Sequence, residues 1–264
     1  MTPYRMPSIL DVFLKERIGP SQANDHLEML AQGARRSLAK FVVNVDGDPN
    51  RFQVIGTGFW AAINKKPFLI TAHHVVDDFN MAKGGGIVAG DLGWKICRGT
   101  MIFDPVKDVA AIVPQSVIGK DESDLPKLPV LYPFCTSESV RWHPTTTLLT
   151  IGFPASKNIH DRRKPRSSIG NYFQYFCHRF ELNEAADEIQ CDFDSEKCFT
   201  LNNCESAFKT LPAPQGLSGS PAMIVMYGES AVSITLALRV VGVAIAWRPD
   251  QKKLVVRRIG DSLI

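Results

Sequence analysis

Apolar residues recur at steps of three and four along the first part of the chain. Ile9, Leu10, Phe13 and Leu14, followed by Leu27, Leu30, Ala31, Ala34 and Leu38, fall on one face of a 3.6-residue period, which predicts helix over residues 8 to about 38. Ser8 is placed to cap it, and Gly19-Pro20 divides it into two stretches. At Phe41 the period changes. KFVVNV, RFQVIGTGFWAAI, PFLITA, GGIVAG, WKICRGTMIF and VAAIVP read as short strands separated by Gly, Asp, Asn and Pro turns. A Pro-rich stretch, DESDLPKLPVLYPFC, interrupts them. Strands then resume with TTTLLTIGFP, GNYFQYFCHRF, EIQCDF, SPAMIVMY, LRVVGVAIAW and KKLVVRRI. The pattern predicts an all-β chain of two β units, joined by a linker near residues 114–135 and preceded by a helical extension. No fixed-period repeat and no low-complexity tract is present.

Composition narrows the function classes. The 264 residues can bury a substantial core, and thirty basic against twenty-seven acidic residues leave a net charge of +3, too small to call for a nucleic-acid partner. The basic loop SKNIHDRRKPRSS gathers Lys157, Arg162, Arg163, Lys164 and Arg166, and is expected to be a solvated connection between strands. The N-terminus lacks a continuous apolar h-region with a small-residue cleavage site, and ITLALRVVGVAIAW is broken by Arg239 and too short to span a bilayer. The expectation is a cytoplasmic protein without membrane association. Its six cysteines, at 97, 135, 177, 191, 198 and 204, are then expected as reduced thiols. Cys191, Cys198 and Cys204 with His178 lack the close CxxC spacing of a structural zinc site, so no metal and no cofactor is expected.

Candidate chemistry centres on QGLSGSPA, residues 215–222, where Ser218 stands between glycines. A serine hydroxyl becomes a nucleophile when a neighbouring base removes its proton, and that base is commonly a histidine oriented by a carboxylate. All six histidines, at 26, 73, 74, 143, 160 and 178, precede Ser218. That order, and the lack of a final glycine in GLSGS, argues against the G-x-S-x-G elbow of α/β-hydrolases. His26 lies in the helical stretch and His160 in the basic loop, while His143 and His178 have no acidic context. The pair in FLITAHHVVDD is different: it ends an apolar strand, where a rigid scaffold can aim a side chain into a cleft. Asp108, at the head of the apolar run DVAAIVP, is the candidate acid, and Asp104 before Pro105 reads as a turn residue.

In this order the sequence resembles the trypsin/chymotrypsin-like serine proteases, especially their disulfide-free bacterial relatives. GTGFW at 56–60 is similar to the family's glycine-bracketed strand, FLITAHHVV to its threonine-alanine-x-histidine motif, DVAAI to its aspartate-led strand, IGFP at 151–154 to the glycine-aromatic-proline strand, and GLSGSP to the nucleophile loop. The resemblance implies two six-stranded antiparallel β-barrels, one over residues 39–129 carrying His74 and Asp108 and one over 130–264 carrying Ser218, behind a helical extension over 1–38. It implies a serine endopeptidase acting on a protein or peptide, with His74 as general base, Asp108 orienting it, Ser218 as nucleophile, and the backbone N–H groups of Gly216 and Ser218 as oxyanion hole. VVGVAIAW falls where the family places a wall of its specificity pocket, which implies Ile245, Ala246 and Trp247 as lining.

Two departures bear on regulation. Leu217 stands where digestive members keep an aspartate that pairs with a newly cut N-terminus, and Val75, not cysteine, follows His74. TLPAPQ before Gly216, the pocket base that the resemblance implies, holds no acidic residue, which disfavours a demand for Lys or Arg, and Trp247 on the wall strand is expected to narrow the pocket in favour of a small or medium apolar side chain. The N-terminal helices could dock a regulatory protein partner. The alternative to an enzyme is a catalytically silent protease-like scaffold that binds peptides or a partner protein.

Overall fold

A computed structural model describes residues 20–63, 66–82, 84–89, 94–118, 131, 142–164, 172–177, 180–193, 198–199, 214–229 and 234–259. Helix α1 (Pro20–Arg35) leads into β1 (Leu38–Asn44), β2 (Arg51–Ile63) and β3 (Lys66–Ala72). A short helix α2 (His73–Met81) precedes β4 (Gly85–Ala89), β5 (Trp94–Asp104) and β6 (Val109–Ile118). The second half contributes β7 (Trp142–Gly152), β8 (Ile159–Asp161), β9 (Phe173–Cys177), β10 (Phe180–Asn183), β11 (Glu188–Asp192), β12 (Cys198–Phe199), β13 (Pro221–Glu229), β14 (Ile234–Arg248) and β15 (Lys253–Arg258).

These strands form two antiparallel sheets. In the seven-stranded first sheet the pairing runs from β1 through β4, β5, β6, β3 and β2 and returns to β1, with β8 joining the first residues of β2. The second is an eight-stranded sheet in the order β10-β11-β15-β14-β13-β7-β9-β12. The expected architecture of two six-stranded barrels is thus present at the level of two antiparallel β units, with seven and eight strands. The extra strands are β8 and β12, three and two residues long and too short to leave a hydrophobic period, and β10, which the sequence pattern does not separate from β9.

Strand alternation explains why the second half reads as nearly continuous apolar runs. Along β13, Met223 and Val225 enter the core shared by the two sheets, whereas Ala222, Ile224 and Met226 enter a second core inside the second sheet. Neighbouring β7 divides likewise, with Leu149 and Ile151 on the first and Leu148 on the second. Successive side chains point to opposite faces, so a strand with a core on each face is apolar at every position.

Helix α1 buries Leu27, Ala31 and Ala34 in the shared core, and the Arg35 guanidinium lies 4.2 Å from the Tyr172 ring centroid. Leu38 belongs to β1 instead of ending the helix: it pairs with Phe59, and the Trp60 N–H donates to the Ser37 carbonyl at 2.7 Å. Sheet pairing overrides the helical spacing there. The expected helix over 8–19 lies outside the described residues, as does most of the 114–135 linker, although Leu131 bridges to Ala61. GNYFQYFCHRF, expected as one strand, holds β9 and the start of β10.

Candidate active site

The register of the first sheet sets the candidate base and acid at one end. Ala72, the last residue of β3, is paired with Val109, the first of β6, so the flanking His73 and Asp108 leave the sheet side by side. Helix α2 begins there, and its N-cap Ala72 provides no side-chain acceptor. Asp108 does so from across the sheet: its carbonyl accepts the His73 N–H at 3.1 Å and its Oδ1 accepts the His74 N–H at 2.9 Å. Two first-turn donors that a helix cannot satisfy internally are thereby bonded.

The other carboxylate oxygen, Oδ2, lies 2.7 Å from His74 Nδ1. An ionised carboxylate only accepts, so the ring proton sits on Nδ1 and leaves the Nε2 lone pair available. His73 turns elsewhere, toward Asp77 at 3.4 Å and against the Phe103 ring, 4.9 Å between centroids. Of the two histidines in the motif, His74 is therefore the one oriented by Asp108. Asp104 is a turn residue, its Oδ1 accepting the Val106 and Lys107 N–H groups at 3.0 Å each.

Charge follows from this geometry. The hydrogen bond that its Nδ1–H donates to Asp108 raises the His74 pKa above the ordinary imidazole value against the opposing effect of burial. Burial pushes the Asp108 carboxyl up, but hydrogen bonds from the His74 ring and backbone outweigh it and hold the group below its usual range. The His74 contribution to stability is complete below about pH 6.5 and disappears as pH rises through the raised pKa. The Asp108 contribution is complete above about pH 3.9 and disappears as pH falls through the lowered one. The His74 ring is expected to titrate above about pH 6.5 by NMR, and Asp108→Asn is expected to lower that value. A titration that stays in place in that variant would contradict the assigned partnership.

The Ser218 loop is fastened to the first sheet by Thr57, the second residue of GTGFW. The Thr57 hydroxyl accepts the Phe153 N–H and donates to the Gly216 carbonyl, each at 3.0 Å. The Thr57 N–H donates to the Ser218 carbonyl at 2.8 Å, and the Thr57 carbonyl accepts the Thr71 hydroxyl at 2.7 Å. Thr57 is fully buried and uses every polar group it has. Sequence reasoning missed it; a lone hydroxyl between glycines in an apolar strand was its only signal.

Within the loop, Leu217, Gly219 and Ser220 donate their N–H groups to the carbonyls of Pro214, Ala244 and Leu217, at 2.9, 2.7 and 2.8 Å. Among the described residues, the N–H groups of Gly216 and Ser218 have no acceptor. The Gln215 carbonyl accepts the Ala155 N–H at 2.7 Å. Since carbonyl and N–H point oppositely across a trans peptide, that bond turns the Gly216 N–H away from Ala155. Gly216, at φ +89°, could not carry a side chain here: a Cβ would lie 2.5 Å from the Ala155 nitrogen and 2.7 Å from the Phe153 carbonyl. Leu217 is fully buried in the core of the second sheet, so the loop is anchored by apolar packing.

Beside Ser218 lies a cavity of about 340 Å³ lined by Pro214, Gln215, Ala244, Ala246, Trp247 and Leu254 among others. Ala246 and Trp247, two of the three residues expected as pocket lining, are on its wall. Ile245 does not line it: strand alternation sends its side chain into the shared core, and Ala244 takes its place on the wall. Trp247 is held edge-to-face against Phe193 at 5.1 Å. The described residues around the cavity include no charged side chain.

His74 and Asp108 are thus joined, and the Ser218 loop packs on the end of β3 from which His74 departs. Among the described residues no hydrogen bond joins the Ser218 hydroxyl to His74. The basic loop is partly engaged: Arg163 pairs with Asp161 and Asp48, each at 2.8 Å, and holds the Asp161 carboxyl down to about 2. The described residues contain no cluster suited to a metal ion and no helix long and apolar enough to cross a membrane. His178 and Cys204 lie outside them.

No family model and no curated protein matches the sequence. Among solved structures, one from work on the coupled folding and binding of the intrinsically disordered Sesbania mosaic virus VPg protein is 16% identical, with 84% of this chain and 85% of that chain covered and a TM-score of 0.43. Another, a thermostable serine protease AL20 from an extremophilic microorganism, is 10% identical over 86% of this chain and 93% of its own, with a TM-score of 0.49.

Proposed function

We propose that the protein is a serine endopeptidase that forms an acyl-enzyme on Ser218. The observation that carries this reading is the conjunction of an imidazole oriented by a carboxylate with an adjoining serine loop that leaves two N–H groups unpartnered. Nε2 of His74 accepts the Ser218 proton as Oγ attacks the substrate carbonyl, and Asp108 stabilises the imidazolium that forms. The oxyanion accepts hydrogen bonds from the Gly216 and Ser218 N–H groups, donors each worth roughly 3–4 kcal/mol in comparable enzymes. His74 then returns the proton to the leaving amine, and a water activated by the same imidazole releases the acyl group. In the free enzyme, catalytic hydrogen bonds are often long and tighten only with substrate bound, which accommodates the missing bond between Ser218 and His74.

The cavity supports a preference for an apolar residue on the acyl side of the cut bond. A charged side chain there would lose its hydration among Pro214, Ala244, Ala246, Trp247 and Leu254 with no counter-charge to replace it. Incubation with a mixed peptide library, followed by mass-spectrometric mapping of the new C-termini, is expected to find apolar residues there at least tenfold over Lys, Arg, Asp and Glu. Cleavage after basic residues would contradict the pocket assignment, and no cleavage at all would contradict the endopeptidase reading.

A further inference from the structure

The carboxylate that orients His74 stands on an unusual backbone. Asp108 has φ +55°, a conformation that L-residues other than glycine seldom adopt. Rotation about its N–Cα bond is governed by the peptide plane between Lys107 and Asp108, and rotation about its Cα–C bond by the plane that follows. Both planes are pinned. The following carbonyl, that of Asp108, accepts the His73 N–H at 3.1 Å. The preceding one, that of Lys107, accepts Nε–H of Arg257 at 3.0 Å, from a strand of the other sheet 150 residues away in sequence.

Arg257 is itself held on all sides. It stands opposite Glu188 in the pairing of β15 with β11, and its Nη2 lies 3.3 Å from the Glu188 carboxylate. Nη1 donates to the Ala186 carbonyl. Glu188 is buried, and its other oxygen lies 3.5 Å from Arg248. A planar guanidinium presents its donors in a fixed fork, so two anchored edges fix the direction of the third.

We propose that Arg257 is a positioning residue for the candidate active site, holding the peptide before Asp108 in the orientation that lets the carboxylate bond both the backbone and the ring of His74. The second sheet carries the Ser218 loop as well as Arg257, so this contact ties the acid to the same body that presents the nucleophile. Without it, the turn at Asp108 is free to relax from its left-handed conformation, and Oδ2 leaves Nδ1.

The kinetic part of the test rests on the endopeptidase reading, and the spectroscopic part does not. The His74 ring is titrated by NMR in the wild-type protein, Arg257→Met, Arg257→Lys and, as a control, Arg248→Met, which removes the other partner of Glu188 without touching the Asp108 turn. The wild-type ring is expected to titrate above the ordinary imidazole value. In Arg257→Met its pKa falls toward that value, and kcat for peptide cleavage drops about 10- to 100-fold while KM changes by less than about twofold, the signature of a misplaced catalytic group. Arg257→Lys, with a single charged donor and no fork, is expected to fall between the two, and Arg248→Met to titrate as the wild type does.

A folded Arg257→Met with the wild-type titration overturns the proposal. If that variant does not fold, a wild-type titration in Arg257→Lys overturns it, as does an equal shift in Arg248→Met. A wild-type protein that cleaves nothing refutes the endopeptidase reading and leaves the titrations to decide the role of Arg257.

Discussion

Ser218→Ala is expected to reduce peptide cleavage by about 10⁴- to 10⁶-fold while leaving the fold intact. The side chain is only partly buried and, among the described residues, makes no hydrogen bond, so removing one oxygen costs the structure little. The backbone bonds that hold the loop, from Thr57 to the Ser218 carbonyl and from Gly219 to Ala244, do not involve that oxygen. The proposed chemistry depends on it entirely, because among the described residues Ser218 supplies the only hydroxyl that lines the cavity. Turnover of a library-derived peptide, measured with the melting temperature, checks both halves. A variant that retains more than about a hundredth of the wild-type rate would mean that Ser218 is not the nucleophile.

Gly219→Ala is expected to damage activity and stability together. Gly219 has φ +84°, and a Cβ built on it falls on the Thr57 carbonyl and the Thr71 hydroxyl, with the Ala72 nitrogen at 3.1 Å. None of these can yield cheaply: the Thr57 carbonyl is backbone and already accepts the Thr71 hydroxyl at 2.7 Å. The loop must instead back away from β3. That movement breaks the 2.8 Å bond from Thr57 to the Ser218 carbonyl and the 2.7 Å bond from Gly219 to Ala244, and it carries Ser218 away from His74. The expected cost is roughly 2–4 kcal/mol of stability, with a rate loss of at least about 100-fold. Gly86→Ala is the matched control, because a Cβ there meets nothing within 4 Å. Thermal unfolding and turnover of both variants test this, and a Gly219→Ala protein that melts and turns over like the wild type would refute the described packing.

The residue types that the chemistry demands were legible in the sequence; the groups that hold them in place were not. An imidazole, a carboxylate and a hydroxyl can be found by reading, since few side chains perform those roles and each stood at the edge of an apolar strand or in a glycine turn. The choice between His73 and His74 needed either the resemblance to a motif or the structure, since both sit at the strand end. It is the start of α2, capped by Asp108, that turns one ring toward the acid and the other toward Asp77.

Thr57 and Arg257 escaped detection for one physical reason. Their partners are remote: Phe153 lies 96 and Gly216 159 residues from Thr57, and Lys107 lies 150 from Arg257. Local periodicity carries no information about such contacts. In a strand, Thr57 reads as a good β-former, and Arg257 as an ordinary exposed end. The fold shows the same division. Long alternating or continuous apolar runs marked most strands, whereas β8 and β12, and the end of α1 at Arg35, depended on pairing partners that no local window contains.

The most direct test of the central claim is labelling of the purified protein with a fluorophosphonate, which is attacked by an activated serine and retained as a stable adduct, with the modified residue located by mass spectrometry. One adduct, on Ser218, is expected in the wild-type protein and in neither His74→Ala nor Ser218→Ala. A well-folded wild-type protein that takes up no label, or that takes it up equally in the His74→Ala variant, would contradict an assembled serine-hydrolase site and favour a protease-like scaffold that binds without cleaving.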